Sequence, residues 1–370
     1  MIKFFLTTIF LFSINFAYTQ TLSPGFNIDE YIELLKIMKK QFNNSGKSNF
    51  PEPQYSKLLY KSKETELKNQ WNLWLYKDKI AIISIRGTTP FMASWIENFY
   101  TAMVPAIGTI HLNDTTSINY KLASDTLAAV HTGWLIGMAS ISQDVERHLK
   151  KLRNKLRIYN VIITGHSQGG AIAYLLTAYL HYKIKSKQLP YFNIKTYCSA
   201  APKPGNVYFA YDYELSRKDW AFNIVNTADW VPQVPLSVET IDDLNPINPF
   251  VVALPIISSL KFPKNIAFKY IFKKLKKSAD KTRDFYIYYF GKKTYKIITE
   301  YSKQIKEPEY YKSMDYVRTG TTIIFRPSKN YLQKKPYKAN DIQKNIFRHH
   351  FLSSYLMLAE EYKAHTLKTR

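Results

Sequence analysis

The stretch Val161–Leu176, VIITGHSQGGAIAYLL, limits the possible folds of this chain more than any other. Its apolar, β-branched start reads as a buried strand, and the run from Ala171 to Lys185 reads as a helix. Between them stand Gly, His, Ser, Gln and two more glycines. A G-x-S-x-G pattern at a strand-to-helix junction holds its serine on a strained turn, because side chains at the glycine positions would strike the neighbouring strand or helix. Ser167 is therefore predicted to stand out of a sheet as a nucleophile. The helix that follows offers backbone N–H groups to a developing oxyanion, that of Gln168 first. A serine in a Gly-rich packing turn is the alternative, which a five-residue pattern alone does not exclude.

The surrounding pattern supplies the sheet that such a turn needs. Ile28 to Phe42 has helical apolar spacing, with acids early and lysines late. NLWLYKDKIAIISIRG reads as two strands across Lys77-Asp78-Lys79, and the fully apolar second one suggests a central place in a covered sheet. A helix is expected from Gly137 to Arg157, and strands in IYNVIIT, FNIKTYCSA, AFNIVNT and YVRTGTTIIF. Strands alternating with helices at this spacing predict an α/β fold with a mostly parallel central sheet and helices on both faces.

With 370 residues, 46% of them hydrophobic, the chain can bury one large core or two modest ones. Residues 1–19, MIKFFLTTIFLFSINFAYT, have an early lysine, an apolar stretch from Phe4 to Phe12 and small residues before Gln20. That layout predicts a signal peptide and a secreted or periplasmic protein of residues 20–370. Cys198 is the only cysteine, so an intramolecular disulfide is excluded, and its apolar run predicts a buried, inert thiol.

The formal charge of +24 speaks to anionic surfaces rather than to the fold. No nucleic-acid module or aromatic-basic repeat accompanies it, so nucleic acid is not expected as a partner. The excess is concentrated: Lys261 to Lys312 holds fifteen Lys/Arg against five Asp/Glu. Residues 240–312 read as a basic cap inserted in the main domain. Its apolar start, Phe250 to Leu260, is a candidate wall for an acyl site, and its basic continuation a candidate seat on an anionic membrane or lipid surface. A solvated helical excursion without a role is the alternative.

Six short motifs then follow in a fixed order: IRGTTP, SWIENF, VHTGWL, GHSQGGA, TYCSAAPKPGN and VNTADWVPQVP. In order and approximate spacing they resemble the class 3, fungal-lipase-like branch of the α/β-hydrolases, closely from about Trp71 to Pro235. The resemblance implies an α/β-hydrolase fold, Ser167 as nucleophile and Asp229 as triad acid. It also implies an oxyanion hole from the N–H groups of Thr88 and Gln168, with the Thr88 hydroxyl assisting. Two departures stand out, Gln168 where many members have Leu, and the pair Lys203-Pro204 before Gly205-Asn206.

The base should follow the acid in this fold, which leaves His349, His350 and His365. His365 sits near the end of the sequence, a poor place for a rigid base. His350, with Tyr355 five positions on, fits the family's spacing best, and His349 is the alternate. His166 and His131 are expected to be structural. Asp315, Asp242 and Asp243 have weaker surroundings for an acid. No cluster has metal-ligand spacing and no Gly-rich nucleotide loop is present, so no cofactor is expected.

What this implies is a serine hydrolase that cleaves carboxylic esters of lipids, resembling triacylglycerol lipases. A short-chain or aromatic-acyl esterase and a catalytically silent basic surface-binding protein remain as alternatives. The segment after the oxyanion turn is a candidate lid, with Phe99, Tyr100, Met103, Val104 and Ile107 as its apolar set, and ordinary core packing as the other reading.

Overall fold

Seven strands form one sheet whose spatial order is also the chain order: Ser56–Lys61, Trp71–Tyr76, Ile80–Ile85, Asn160–His166, Asn193–Ser199, Ala221–Asn226 and Thr321–Phe325. This is a computed structural model that describes residues 22–42, 49–337 and 341–368; the expected signal peptide lies outside the described residues. The first three strands pair antiparallel and the rest parallel. The hairpin at Lys77-Asp78 turns through two left-handed residues, with φ of 48° and 56°.

A strand order that never reverses has a consequence for the layers. Parallel crossovers are almost always right-handed, so every crossover helix goes to the same face. Helices Thr132–Leu156, Gln168–Lys185 and Val207–Arg217 accordingly share a core with Ala81, Ile83, Ile85, Val161 and Ile163. The alternate residues Ile80, Ile82 and Ile162 point the other way. There they meet helices Ile28–Lys40 and Leu352–Lys368, which pack on each other as well as on the sheet. The expected α/β-hydrolase layering, a mostly parallel sheet with helices on both faces, is thus observed, and widely separated segments close its second face.

One helix starts five residues earlier than expected, at Thr132 instead of Gly137. Gly133 and Gly137 both lie inside this helix, at the place where helix Met92–Phe99 crosses it. A Cβ at Gly133 would come within 1.9 Å of Glu97 O, and one at Gly137 within 2.3 Å of Glu97 Oε1.

The candidate lid set is mostly core. Tyr100, Met103 and Val104 are buried, and Met103–Pro105 pairs with Ala129–His131, leaving only Phe99 and Ile107 exposed. Three of the five side chains are thus fixed by packing and do not form a movable cover. Cys198 is buried, and burial pushes its thiol pKa well up, as suits an inert thiol.

Between strands Ala221–Asn226 and Thr321–Phe325 the chain leaves the sheet. It passes through helices Ala253–Ser258, Lys264–Ile287 and Thr294–Tyr301, with a π-helical turn at Tyr288–Lys293. Phe250, Val251 and Ile256, at its apolar start, lie open at the surface. No helix among the described residues is long and apolar enough to cross a membrane.

Candidate active site

Ser167 follows the strand Asn160–His166 directly and precedes the helix Gln168–Lys185. Its backbone has φ 59° and ψ −129°, a conformation that costs a non-glycine residue about 1–3 kcal/mol. The turn is tight enough that a Cβ at Gly165 would lie 2.2 Å from Gly169 backbone atoms. Strand and helix packing therefore over-determine the strained residue. The N–H of Gln168, in the first helical turn, has no partner among the described residues, and neither does that of Thr88.

Asp229 lies just past the strand Ala221–Asn226 and is almost fully buried. Three donors converge on its carboxylate. Val231 N–H bonds Oδ1 at 3.0 Å, while His350 Nδ1 and the Tyr355 hydroxyl bond Oδ2 at 2.8 Å and 2.9 Å. Burial alone would raise the Asp229 pKa, but the hydrogen bond and charge of His350 outweigh it and hold the group below the usual carboxylate value. Burial pushes the Tyr355 phenol well up, so it stays protonated and donates.

Of the two adjacent histidines, it is His350 that meets Asp229. With Nδ1 donating to the acid, Nε2 is left as the proton acceptor. Among the described residues no hydrogen bond joins that ring to Ser167 Oγ, and such bonds commonly tighten only with substrate present. His349 is held elsewhere. Arg348 Nε donates to its Nε2 at 2.8 Å, so its Nδ1 donates to the Tyr331 hydroxyl at 2.9 Å. Burial, followed by the Arg348 charge, lowers its pKa. His365 sits exposed in the later turns of Leu352–Lys368.

His166 fixes the loop that carries His350. Its Nε2 lies 2.7 Å from the backbone carbonyl of His350, which can only accept, so Nε2 holds the proton. Nδ1 must then accept from Ser199 Oγ at 3.0 Å, which leaves that oxygen to accept from Tyr31 at 2.7 Å. Burial lowers the His166 pKa to about 3, so the ring is neutral at ordinary pH and its tautomer is set. Helix Ile28–Lys40 thereby reaches the site through three side chains.

The turn at Thr88 has its own support. Trp134 Nε1 donates to Asn98 Oδ1 at 3.0 Å, which turns Asn98 Nδ2 towards Thr88 Oγ1, 2.9 Å away. The Thr88 hydroxyl accepts that bond, so its own proton is free to point elsewhere. His131 stacks on Trp134 with ring centroids 3.6 Å apart and accepts from Trp134 N at 3.2 Å. Burial lowers the His131 pKa to about 3, which keeps that ring an uncharged acceptor.

Ser94 links the two turns. Its Oγ lies 3.1 Å from both Thr89 N and Gln168 Oε1, and its carbonyl accepts from Gln168 Nε2 at 3.3 Å. The amide at position 168 therefore bonds to Ser94 beside the Thr88 turn, which a leucine there could not do. Ser94, Asn98 and Trp134 were not singled out from sequence, although all three lie in SWIENF or VHTGWL.

The other acids lie in different contacts. Asp315 accepts from Ser237, Asp242 pairs with Arg283, and Asp243 caps the turn at Thr240. Among the described residues no group of His, Cys, Asp and Glu is arranged to hold a metal ion.

The comparisons with known proteins follow this geometry. Residues 82–239 match the family model described as Lipase (class 3). The resemblance seen in the motifs is therefore borne out over that span. A secreted mono- and diacylglycerol lipase of Fusarium solani is 26% identical over 167 residues, which cover 43% of this chain and 48% of that protein. A triacylglycerol lipase of Arabidopsis thaliana is 27% identical over 218 residues, covering 50% of this chain and 42% of the other. The chain spans less than half the length of these curated relatives. Among solved structures, Lip2 lipase from Yarrowia lipolytica superposes with a TM-score of 0.43 at 19% identity, over 58% of this chain and 77% of that one.

Proposed function

We propose that this chain, a relative of the class 3 lipases across residues 82–239, is a serine hydrolase that cleaves carboxylic esters of lipids, acylglycerols foremost. The observation that carries the reading is the buried His350–Asp229–Tyr355 hydrogen-bond set, held against the strained Ser167 turn through His166. In this reading Ser167 Oγ attacks the ester carbonyl and His350 Nε2 takes its proton. Asp229 keeps the imidazole in the required tautomer and stabilises the imidazolium. The N–H groups of Thr88 and Gln168 receive the oxyanion, with the Thr88 hydroxyl free to add a third bond. His350 returns the proton to the leaving alcohol, and water repeats the cycle on the acyl-enzyme.

The catalytic domain in this proposal is residues 20–370, with 240–312 as a basic cap, and it needs no cofactor. We further propose that the protein is exported, in keeping with relatives named as secreted lipases. Hydrolysis of p-nitrophenyl esters from acetate to palmitate, with Ser167→Ala beside the parent, tests the activity. Turnover that rises with chain length and is lost in Ser167→Ala supports the lipase reading. Turnover confined to short chains points to an esterase, and a protein that neither turns over nor reacts with a fluorophosphonate is a silent binder on the same fold.

A further inference from the structure

Helix Lys264–Ile287 is held to the domain at one end and bare at the other. Towards its C-terminal end, Arg283 is buried and bonds Asp242 at 2.7 Å. Tyr286 joins a small core with Met103, Ala129, Met314 and Tyr316, and Ala102 N–H donates to Phe290 O at 3.2 Å just beyond. Over its first three turns the contacts are few. Phe272 and Lys276 are half-buried on the side against helix Ala253–Ser258, and most of the remaining side chains are exposed.

What is exposed there is not polar. Phe268, Ile271 and Leu275, spaced i, i+3 and i+7, share one face, and Leu275 leaves 67% of its surface in solvent. The preceding turns add Ile247 at 94% exposure and Phe262 at 78%. Lys264 and Lys274 lie beside this stripe, i−4 from Phe268 and i+3 from Ile271. Lys273, Lys277 and Lys281 recur every fourth residue on the opposite face, with Lys269 next to them. Among the described residues none of these six has an ion-pair partner, whereas Lys276 is paired with Asp280 and Asp242. A stable helix in water carries its apolar stripe inward. Here the stripe faces outward, on a helix whose other face carries a row of unpaired positive charge.

We propose that the first half of helix Lys264–Ile287, with the turns from Ile247 to Phe262, is a docking surface for a membrane face rich in anionic phospholipid. The lysines supply attraction to the headgroups, and Ile247, Phe262, Phe268, Ile271 and Leu275 enter the boundary between headgroups and acyl chains. The exposed apolar side chains separate a lipid from a nucleic acid, whose phosphates would engage the lysines and leave those side chains in water. This surface names a partner for the lipid-ester reading and rests on that reading for the biological sense of lipid. Its residues, however, are separate from the catalytic ones.

The test uses the full chain carrying Ser167→Ala, so that the vesicles stay intact. Flotation with vesicles of phosphatidylcholine alone is compared with vesicles of equal parts phosphatidylcholine and phosphatidylglycerol, at low and physiological salt. The expected result is binding to the mixed vesicles that exceeds binding to the neutral ones by about tenfold or more and weakens as salt rises. Adding Lys273→Glu, Lys277→Glu and Lys281→Glu together, or Phe268→Ser, Ile271→Ser and Leu275→Ser together, is expected to lower that binding about tenfold or more. In the Ser167-intact chain the same triple changes leave turnover of p-nitrophenyl acetate unaltered, which shows that the domain is folded.

Equal binding to both vesicle types overturns the proposal, as does binding that neither triple change reduces. A preference for a DNA oligonucleotide over the mixed vesicles overturns it in favour of a nucleic-acid partner. If the intact chain turns over no ester but its Ser167→Ala form still floats with anionic vesicles, the catalytic reading fails and the docking surface stands. If turnover is present and no vesicle is bound, the reverse holds.

Discussion

Leu175 and Leu275 are the same residue on two long helices of one chain, and they meet opposite surroundings. Leu175, on the helix that follows Ser167, is fully enclosed between sheet and neighbouring helices, while Leu275 leaves two thirds of its surface in water. The first belongs to a region where the sheet dictates every inward position. The second belongs to an excursion between two strands, where only the far end is anchored. The contrast teaches that hydrophobicity in this chain has two uses, one holding reacting groups in place and the other presented outward.

The sharpest way to break that division is at the site. His350→Ala is expected to lower kcat for a soluble ester by about 10⁴–10⁶-fold, and His349→Ala by less than about tenfold. Steady-state kinetics on both variants checks this, and a reversed order would move the base to the other imidazole.

Next come the two leucines themselves. Leu175→Ala is expected to cost about 2–5 kcal/mol, since it opens a cavity between packed layers. Leu275→Ala is expected to stay within about 0.5 kcal/mol of the parent. Denaturant titration of both decides the matter, and a large loss at Leu275 would mean that the excursion has a core of its own.

The smallest effect concerns Glu97, buried on the helix Met92–Phe99, where Asn69 Nδ2 donates to its Oε2 at 3.0 Å. Burial raises its pKa well above the ordinary 4.5, so the folded protein holds a proton that the unfolded chain releases. Its contribution to stability is full below pH 4.5 and is lost as pH rises towards the folded value. Glu97→Gln is uncharged at every pH. Thermal unfolding should therefore show the variant and the parent alike near pH 4, and the variant more stable near pH 8, by about 1 kcal/mol or more.

Much of this was legible in the sequence because it is local. The Ser167 turn is written in consecutive residues, and the run IAIISI needs no distant information to read as a buried strand. The choice between His349 and His350 was not of that kind. Neighbouring residues in the same loop have similar local signals, and only the positions of Asp229, Tyr331 and Arg348 decide which ring turns where. Asn98 was invisible for the same reason, since its role depends on Trp134 fixing the orientation of its amide. The start of the helix at Thr132 was misplaced because Gly133, left outside the expected helix, answers to Glu97 on a different helix. Lid and core could not be told apart for the same reason, because an apolar segment on one side of a turn looks the same whether it covers a groove or fills a core.

The one-directional strand order leaves a face that segments far apart in the chain must close, and His350 comes with the later of them. His166 and the His350 carbonyl it holds are 184 residues apart. A ribosome adding about 5–20 residues per second takes roughly ten to forty seconds between them. In the reading proposed above, the growing polypeptide carries Ser167 throughout that interval without the His350 that would activate it. A protein proposed to cut lipid would thus be harmless to the cell that makes it until its synthesis is nearly done.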